Sequence, residues 1–226
     1  GLLQRLPEPY DSMATALSIQ LRRRYWRSRR PGQLERYLRT HTVRKLQIGA
    51  GPAPIPGWLN TDFDPEAQNT VFLDIRDRFP MPGSSFDYIF AEHVIEHVRL
   101  KEALHVLVEC YRILHPGGMI RLVTPDLEQL MLVYAHRNEE WVQDYISFWV
   151  GKFGPFGQDL ALPSIVVSGW FHEFGHQFIF DQETLRFALG QAGFTDIIQC
   201  DIGESTKPEL KGLEQHGIVF GSEEYN

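Results

Sequence analysis

Cysteine is nearly absent from this 226-residue chain, which has only Cys110 and Cys200, one on a helical pattern and one on a strand pattern. That excludes a disulfide framework and a cysteine-built zinc site, and it fits a reducing, cytoplasmic setting. Long apolar runs are missing too. Nothing approaches the roughly 20 apolar residues of a membrane-spanning helix, and the first residues lack the apolar core of a secretory signal. A soluble protein is expected. There are no internal repeats and no low-complexity tract. With 43% hydrophobic residues the chain can bury one substantial core, and its length suits one domain plus an appendage.

Negative charge prevails overall, at -7, but not at the N-terminus. Residues 1–45 hold 11 Lys and Arg against 3 Asp and Glu, a net of +8, which leaves -15 for the rest. The densest stretch, "LRRRYWRSRR" (Leu21 to Arg30), mixes arginine with Tyr25 and Trp26, a composition that suits phosphates, anionic lipid or RNA. The competing reading is a solvated helix folded back on the acidic body. Met13, Leu17, Leu21 and Tyr25 recur every four residues, so residues 1–40 are expected to be an amphipathic helical arm that meets an anionic surface or a partner.

From residue 41 the pattern becomes that of an α/β domain, because short apolar strands alternate with helical periods. Strands are expected at Val43–Gly51, Trp58–Asp64, Asn69–Ile75, Phe86–Glu92 and Met119–Asp126. A helix runs from Leu100 to Leu114, where apolar residues follow i, i+3, i+4, i+7 spacing, and "HPGG" (His115 to Gly118) ends it. Another helix occupies Leu127 to about Ala135. Residues 136–170 mix aromatics, Gly and Pro without a clean period and read as an irregular insertion; an insertion or lid is expected over 136–175. Asp181 is an N-cap, Leu185, Ala188, Leu189 and Ala192 form a buried stripe, and Gly193 sits at the left-handed C-terminal position. Phe194–Ile202 and His216–Glu223 are expected to close the sheet as an antiparallel hairpin. The whole is a Rossmann-like, seven-stranded, mostly parallel sheet with helices on both faces.

The glycine turn "IGAGPAPIPG" narrows the ligand. Gly49-Ala50-Gly51 starts like a dinucleotide fingerprint, which relies on a helix N-terminus to hold a diphosphate. Here Pro52, Pro54 and Pro56 follow, and prolines so spaced cannot carry the hydrogen bonds of a regular helix. Bare backbone approaches the ligand without a helix dipole. That favours a nucleoside lacking phosphates, for which Asp62 is placed to accept from ribose hydroxyls and Asp74 from an adenine amino group, with Ile75 against the ring. S-adenosylmethionine is such a nucleoside, and its sulfonium suits an acidic cleft.

These residues carry a resemblance. "LQIGAGPAPIPGWLNTDFDP" (Leu46 to Pro65), "LDI...FPMPGSSFDYIFAEHVIEHV" (Leu73 to Val98), "CYRILHPGGMIRLVTPD" (Cys110 to Asp126) and "HQFIFDQETLRFALGQAGF" (His176 to Phe194) together resemble class I S-adenosylmethionine-dependent methyltransferases. The likeness is strongest to a small bacterial branch. It implies that Gly49, Ala50, Gly51 and Asp62 bind the methionine and ribose parts of S-adenosyl-L-methionine and that Asp74 and Ile75 bind the adenine. Glu92 and His93 would lie beside the cofactor.

Two strings imitate zinc peptidases. His172-Glu173-Phe174-Gly175-His176 spells H-E-x-x-H and His93-Val94-Ile95-Glu96-His97 its inverse. A zincin needs both histidines one turn apart in a regular helix, which Gly169, Gly175 and the new helix start at Asp181 oppose. Hydrogen-bonded, packed histidines are the expected arrangement and no metal is assigned, with a shared ion among His93 or His97 and His172 and His176 as the lesser alternative. For methyl transfer to a hydroxyl, His93 is the first choice of general base and His172 or His176 the next, with Glu92 as orienting partner. The expected activity is O-methylation of a small molecule or glycan. A non-catalytic, cofactor-binding partner subunit, a nucleic-acid-modifying enzyme and a zinc metallopeptidase are the rival classes.

Overall fold

A computed structural model describes residues 9–65, 69–154 and 160–214. Its centre is a parallel sheet of five strands: β1 (Lys45–Ile48), β2 (Leu59–Asp62), β3 (Val71–Phe72), β4 (Phe86–Glu92) and β5 (Leu114–Val123). The strand order is β3-β2-β1-β4-β5, with Ile48 paired to Thr61 on one side and to Ala91 on the other. The chain therefore reverses its direction of sheet-building between β1 and β4. In such sheets the ligand crevice opens at the carboxyl ends of those two strands.

β1, β2 and β3 are buried at nearly every position because both faces of the sheet are covered there. Leu46, Ile48, Ile89 and Ala91 enter the main core, where they meet Ala103, Val106, Cys110 and Ile113 of α2 (Leu100–Ile113). Leu107 turns to the neighbouring cluster with Ala188, Leu189 and Ala192 of α6 (Gln182–Ala192). On the opposite face Phe90 packs with Trp58, Ile55, Leu210 and Leu213. That cluster is built from strand, loop and 3₁₀ residues rather than from α-helix, which corrects the expectation of helices on both faces for the residues described.

Both termini of α6 follow the sequence signals. The Asp181 carboxylate accepts from the Thr184 N–H at 2.7 Å, and Gly193 closes the helix at φ 105°, a conformation glycine adopts without penalty. The N-terminal helix α1 (Pro9–Thr40) reaches the core only near its end, through Leu34 and Tyr37. The Tyr37 hydroxyl accepts from the Lys45 N–H at 2.9 Å and so ties the helix to β1. Its arginine-rich stretch folds back on the body: Arg22 pairs with Asp64 at 3.1 Å and Arg27 with Asp77 at 2.9 Å. The Arg23 guanidinium lies 4.2 Å from the Phe63 ring centroid. Leu17, Leu21 and Tyr25 stay more than half exposed, so the four-residue stripe is not the buried one; the Met13 side chain lies outside the described residues.

Among the described residues, 136–154 and 160–170 are not irregular. After α3 (Leu127–Ala135) come α4 (Glu140–Phe153) and α5 (Pro163–His172), joined by a core of their own from Val133, Val142, Tyr145, Ile146, Trp149, Val150 and Val166. A Cβ on Gly169 would lie 2.0 Å from the Trp149 ring. The glycine that lowers helix propensity in the sequence is thus the socket for the largest side chain of this cluster.

The expected strand Phe194–Ile202 does not form. Asp196 takes a left-handed φ of 50°, and arginines replace a ladder by capturing backbone carbonyls. Arg186 donates to the Ile197 carbonyl and Arg121 to those of Asp201 and Glu204. Its expected partner, His216–Glu223, lies outside the described residues, among which the sheet has five parallel strands. "HPGG" does not separate α2 from β5 either. It lies inside β5 as a register shift opposite Phe86 and Tyr88, with Gly117 at φ 81°.

Candidate active site

The loop after β1 is built without a helix. Gly49 and Gly51 take φ of 71° and 49°, and a Cβ on Gly49 would meet Val94 Cγ2 at 2.4 Å. Side chains then supply the partners that a helix would have given the backbone. The Ile55 N–H donates to both Gln47 Oε1 and Asn60 Oδ1 at 2.9 Å, while Asn60 Nδ2 donates to the Ile55 carbonyl at 3.0 Å. Ten residues, 49–58, connect two adjacent parallel strands. The proline argument from sequence holds here: no helix dipole stands ready for a diphosphate.

Asp62 ends β2 half-buried. One of its oxygens accepts from the Gly51 N–H at 2.9 Å and the other from the Asp64 N–H at 2.9 Å, so the carboxylate fixes the glycine turn and keeps lone pairs for hydroxyl donors. Asp74 follows β3 and is gripped by its neighbour Arg76, with Nε and Nη2 each 2.8 Å from a carboxylate oxygen. Burial pushes the Asp74 carboxyl up, but the Arg76 hydrogen bonds and charge outweigh it and hold the group below its usual range. Ile75 packs against the main core.

His93, the first residue past β4, has a left-handed φ of 52°. A non-glycine residue there is strained, and what holds it is a pair of anchors. The His93 N–H donates to the Val123 carbonyl at 2.9 Å, and the ring Nδ1 lies 2.9 Å from Glu96 Oε1. Burial pulls the imidazole pKa down, yet the Glu96 hydrogen bond and charge, with the charge of Glu92, raise it above the ordinary value. Glu96 is fully buried, and its second oxygen accepts from the Thr124 hydroxyl at 3.2 Å. The structure thus gives His93 a second carboxylate, Glu96, that sequence reasoning had not named, beside the expected Glu92, which sits half-buried at the end of β4 and whose charge also acts on the ring. The i, i+3 spacing of His93 and Glu96 within "HVIEH" carried that signal, but the string reads first as an inverted zinc motif.

"HEFGH" does not form a zincin helix. α5 ends at His172, Glu173 is its C-cap and Gly175 turns at φ 74°, so the two histidines do not share a helical face. His172 is exposed. His176 is pulled the other way: its Nδ1 bonds the Trp170 carbonyl, its ring stacks on Trp170 at 5.7 Å, and burial lowers its pKa. The segment docks on the "HVIEH" turn, where the Glu96 carbonyl accepts from the Gln177 and Phe178 N–H groups at 2.7 and 3.2 Å. Of the expected catalytic set the structure thus brings His93 and His176 around Glu96 and leaves His172 outside.

Residues 57–122, from just before β2 to one residue short of the end of β5, match the family model described as a methyltransferase domain. No curated protein matches the chain. Among solved structures, a SAM-dependent methyltransferase from Archaeoglobus fulgidus is 18% identical over 96% of this chain and 87% of that one, with a TM-score of 0.45. A methyltransferase in complex with the Haloferax volcanii Trm112 activator is 16% identical over 84% and 77%, at 0.39. Phosphoethanolamine N-methyltransferase 2 of Haemonchus contortus, with S-adenosyl-L-methionine, is 16% identical over 75% and 37%, at 0.38. These low identities and TM-scores fix no substrate or partner. The methyltransferase-domain match runs from β2 into β5 and so includes Asp62, Asp74, His93 and Glu96, but not the Gly49–Gly51 turn.

Proposed function

We propose that the protein is an S-adenosylmethionine-dependent methyltransferase that O-methylates a small molecule or glycan. The observation that carries the reading is a juxtaposition: the helix-free Gly49–Gly51 turn and the strained His93–Glu96 pair follow adjacent strands, β1 and β4, at the point where the sheet order reverses. A nucleoside sulfonium fits there and a diphosphate does not. Gly49, Ala50, Gly51 and Asp62 would hold the methionine and ribose parts, and Asp74 and Ile75 the adenine.

When bound, the cofactor supplies a methyl group already activated on sulfur, so alignment is the protein's main task. Glu96 holds the His93 ring through Nδ1, and the imidazole would serve as the base that takes the acceptor's hydroxyl proton. Glu96 acts through His93 as a positioning residue, and with the Val123 carbonyl it holds the ring in place against the backbone strain.

Calorimetric titration with S-adenosylhomocysteine tests the reading. One equivalent is expected to bind per chain, and Asp62→Asn to weaken it by about tenfold or more, the loss of a charge-assisted hydrogen bond to ribose. A folded sample that takes up no S-adenosylhomocysteine overturns the proposal.

A further inference from the structure

We propose that Glu96, His97 and His176 form a binding site for one divalent transition-metal ion of the zinc class. The site takes two residues from "HVIEH" and one from "HEFGH", so neither string marks it alone. Each residue offers one ligand atom, and these atoms lie within 4.8 Å of one another. Two imidazoles and one carboxylate are a donor set that zinc and its neighbours accept, with a fourth position left open.

The outer support is already in place. The Trp170 carbonyl can only accept, so the His176 proton sits on Nδ1 and the Nε2 lone pair is free to ligate. Glu96 is held at both oxygens, by His93 and by the Thr124 hydroxyl. A ligating histidine tied to a carbonyl and a ligating carboxylate held by its own hydrogen bonds are the usual second layer of a metal centre. The His97 and His176 rings meet at 5.0 Å between centroids and 61°, as two rings sharing an ion would.

Access and closure follow from the burial gradient. Glu96 is 0% and His176 9% exposed, whereas His97 is exposed and provides the entry side. A tetrahedral ion with bonds of about 2.0–2.1 Å needs ligand atoms roughly 3.3 Å apart, and His97, on a short 3₁₀ turn at the surface, has the rotamer freedom to close that gap. The metal site does not rest on the methyltransferase reading.

The test uses metal-stripped protein titrated with Zn²⁺ against a chromophoric chelator, and with Co²⁺ followed by visible absorption. One equivalent of Zn²⁺ and a tetrahedral Co²⁺ band are expected. His97→Ala and His176→Ala should each weaken Zn²⁺ by more than about tenfold, since loss of even an outer-shell partner costs that much, whereas His172→Ala should leave it unchanged. Wild-type binding no stronger than that of the His97→Ala/His176→Ala double variant overturns the proposal, as does binding that follows His172. His97 is exposed, so His97→Ala keeps the fold and stays decisive if His176→Ala misfolds; circular dichroism reports that. Because no nucleoside is present, failure here leaves S-adenosylhomocysteine binding as a separate result.

Discussion

The sheet carries two helical appendages, and they are attached by opposite physics. The arm α1 lies over the loops after β2 and β3 through exposed ion pairs and guanidinium–ring contacts, with Leu17, Leu21 and Tyr25 facing solvent. The α3–α5 unit has an apolar core of its own, with Trp149 almost fully buried among Val142, Ile146 and Val166. Exposed pairs contribute about 0–1 kcal/mol each and are screened by salt, whereas a buried aromatic side chain contributes several kcal/mol. One appendage should come loose gradually and the other in a single cooperative step.

The sharpest way to break that contrast is Trp149→Ala. It removes the ring that fills the Gly169 socket and is expected to cost about 3–5 kcal/mol, read as a lower denaturant midpoint. Since the α3–α5 core is a cluster separate from the main one, the aromatic circular dichroism should fade before the far-ultraviolet signal. Coincident transitions with an unchanged midpoint would erase the distinction between the appendages.

Next in size is Gly49→Ala, which puts a Cβ into Val94 Cγ2 at a left-handed φ. Strain and overpacking together should cost about 1–3 kcal/mol and depress S-adenosylhomocysteine binding more than stability. Val94→Ala in the same chain should recover part of the loss, because it removes the clashing methyl but not the φ penalty. No recovery would place the whole cost in the backbone.

Acid should weaken the sheet side in a definite window. The Arg112 hydrogen bonds, opposed by burial, hold the Glu109 carboxyl below its usual range, and Glu109 also accepts from the Phe79 N–H at 2.8 Å. A depressed folded pKa means stability that is complete above the unfolded value, about 4.3, and is lost as pH falls through the folded one. Thermal melts from pH 6 to 3 should therefore decline, and Glu109→Gln should flatten the decline while lowering the plateau. A variant that declines as steeply as the wild type would assign the acid loss elsewhere.

What the sequence disclosed follows the same divide. α2, α3 and α6 were legible because local period and caps agree with the packing: Asp181 caps and Gly193 turns where the pattern puts them. The helix-free turn was legible because proline chemistry is local. α4 and α5 were hidden because their stability comes from the Trp149–Gly169 fit, a contact between residues twenty apart that no propensity records. The strand expected at Phe194–Ile202 failed for a similar reason: Arg121 and Arg186, remote in sequence, take its carbonyls. At the candidate site, His93 and Gly49 were visible as motif letters, while the role of Glu96 depended on the turn that buries it.

The smallest effect probes the arm. Arg22 and Arg27 are each about half exposed, as are Asp64 and Asp77, so the Arg22→Ala/Arg27→Ala variant should lose at most about 1 kcal/mol of global stability at low salt. Raising the ionic strength to about 1 M shrinks the screening length to roughly 3 Å, and there wild type and variant should melt alike. Local opening should respond more than global melting does. Hydrogen exchange in residues 17–29 of α1 is expected to speed up in the variant, while exchange near Leu34 and Tyr37, which sit in the main core, stays unchanged. If the loss persisted at high salt, the arm would be held by packing, as α4 and α5 are, and the two appendages would differ in sequence only.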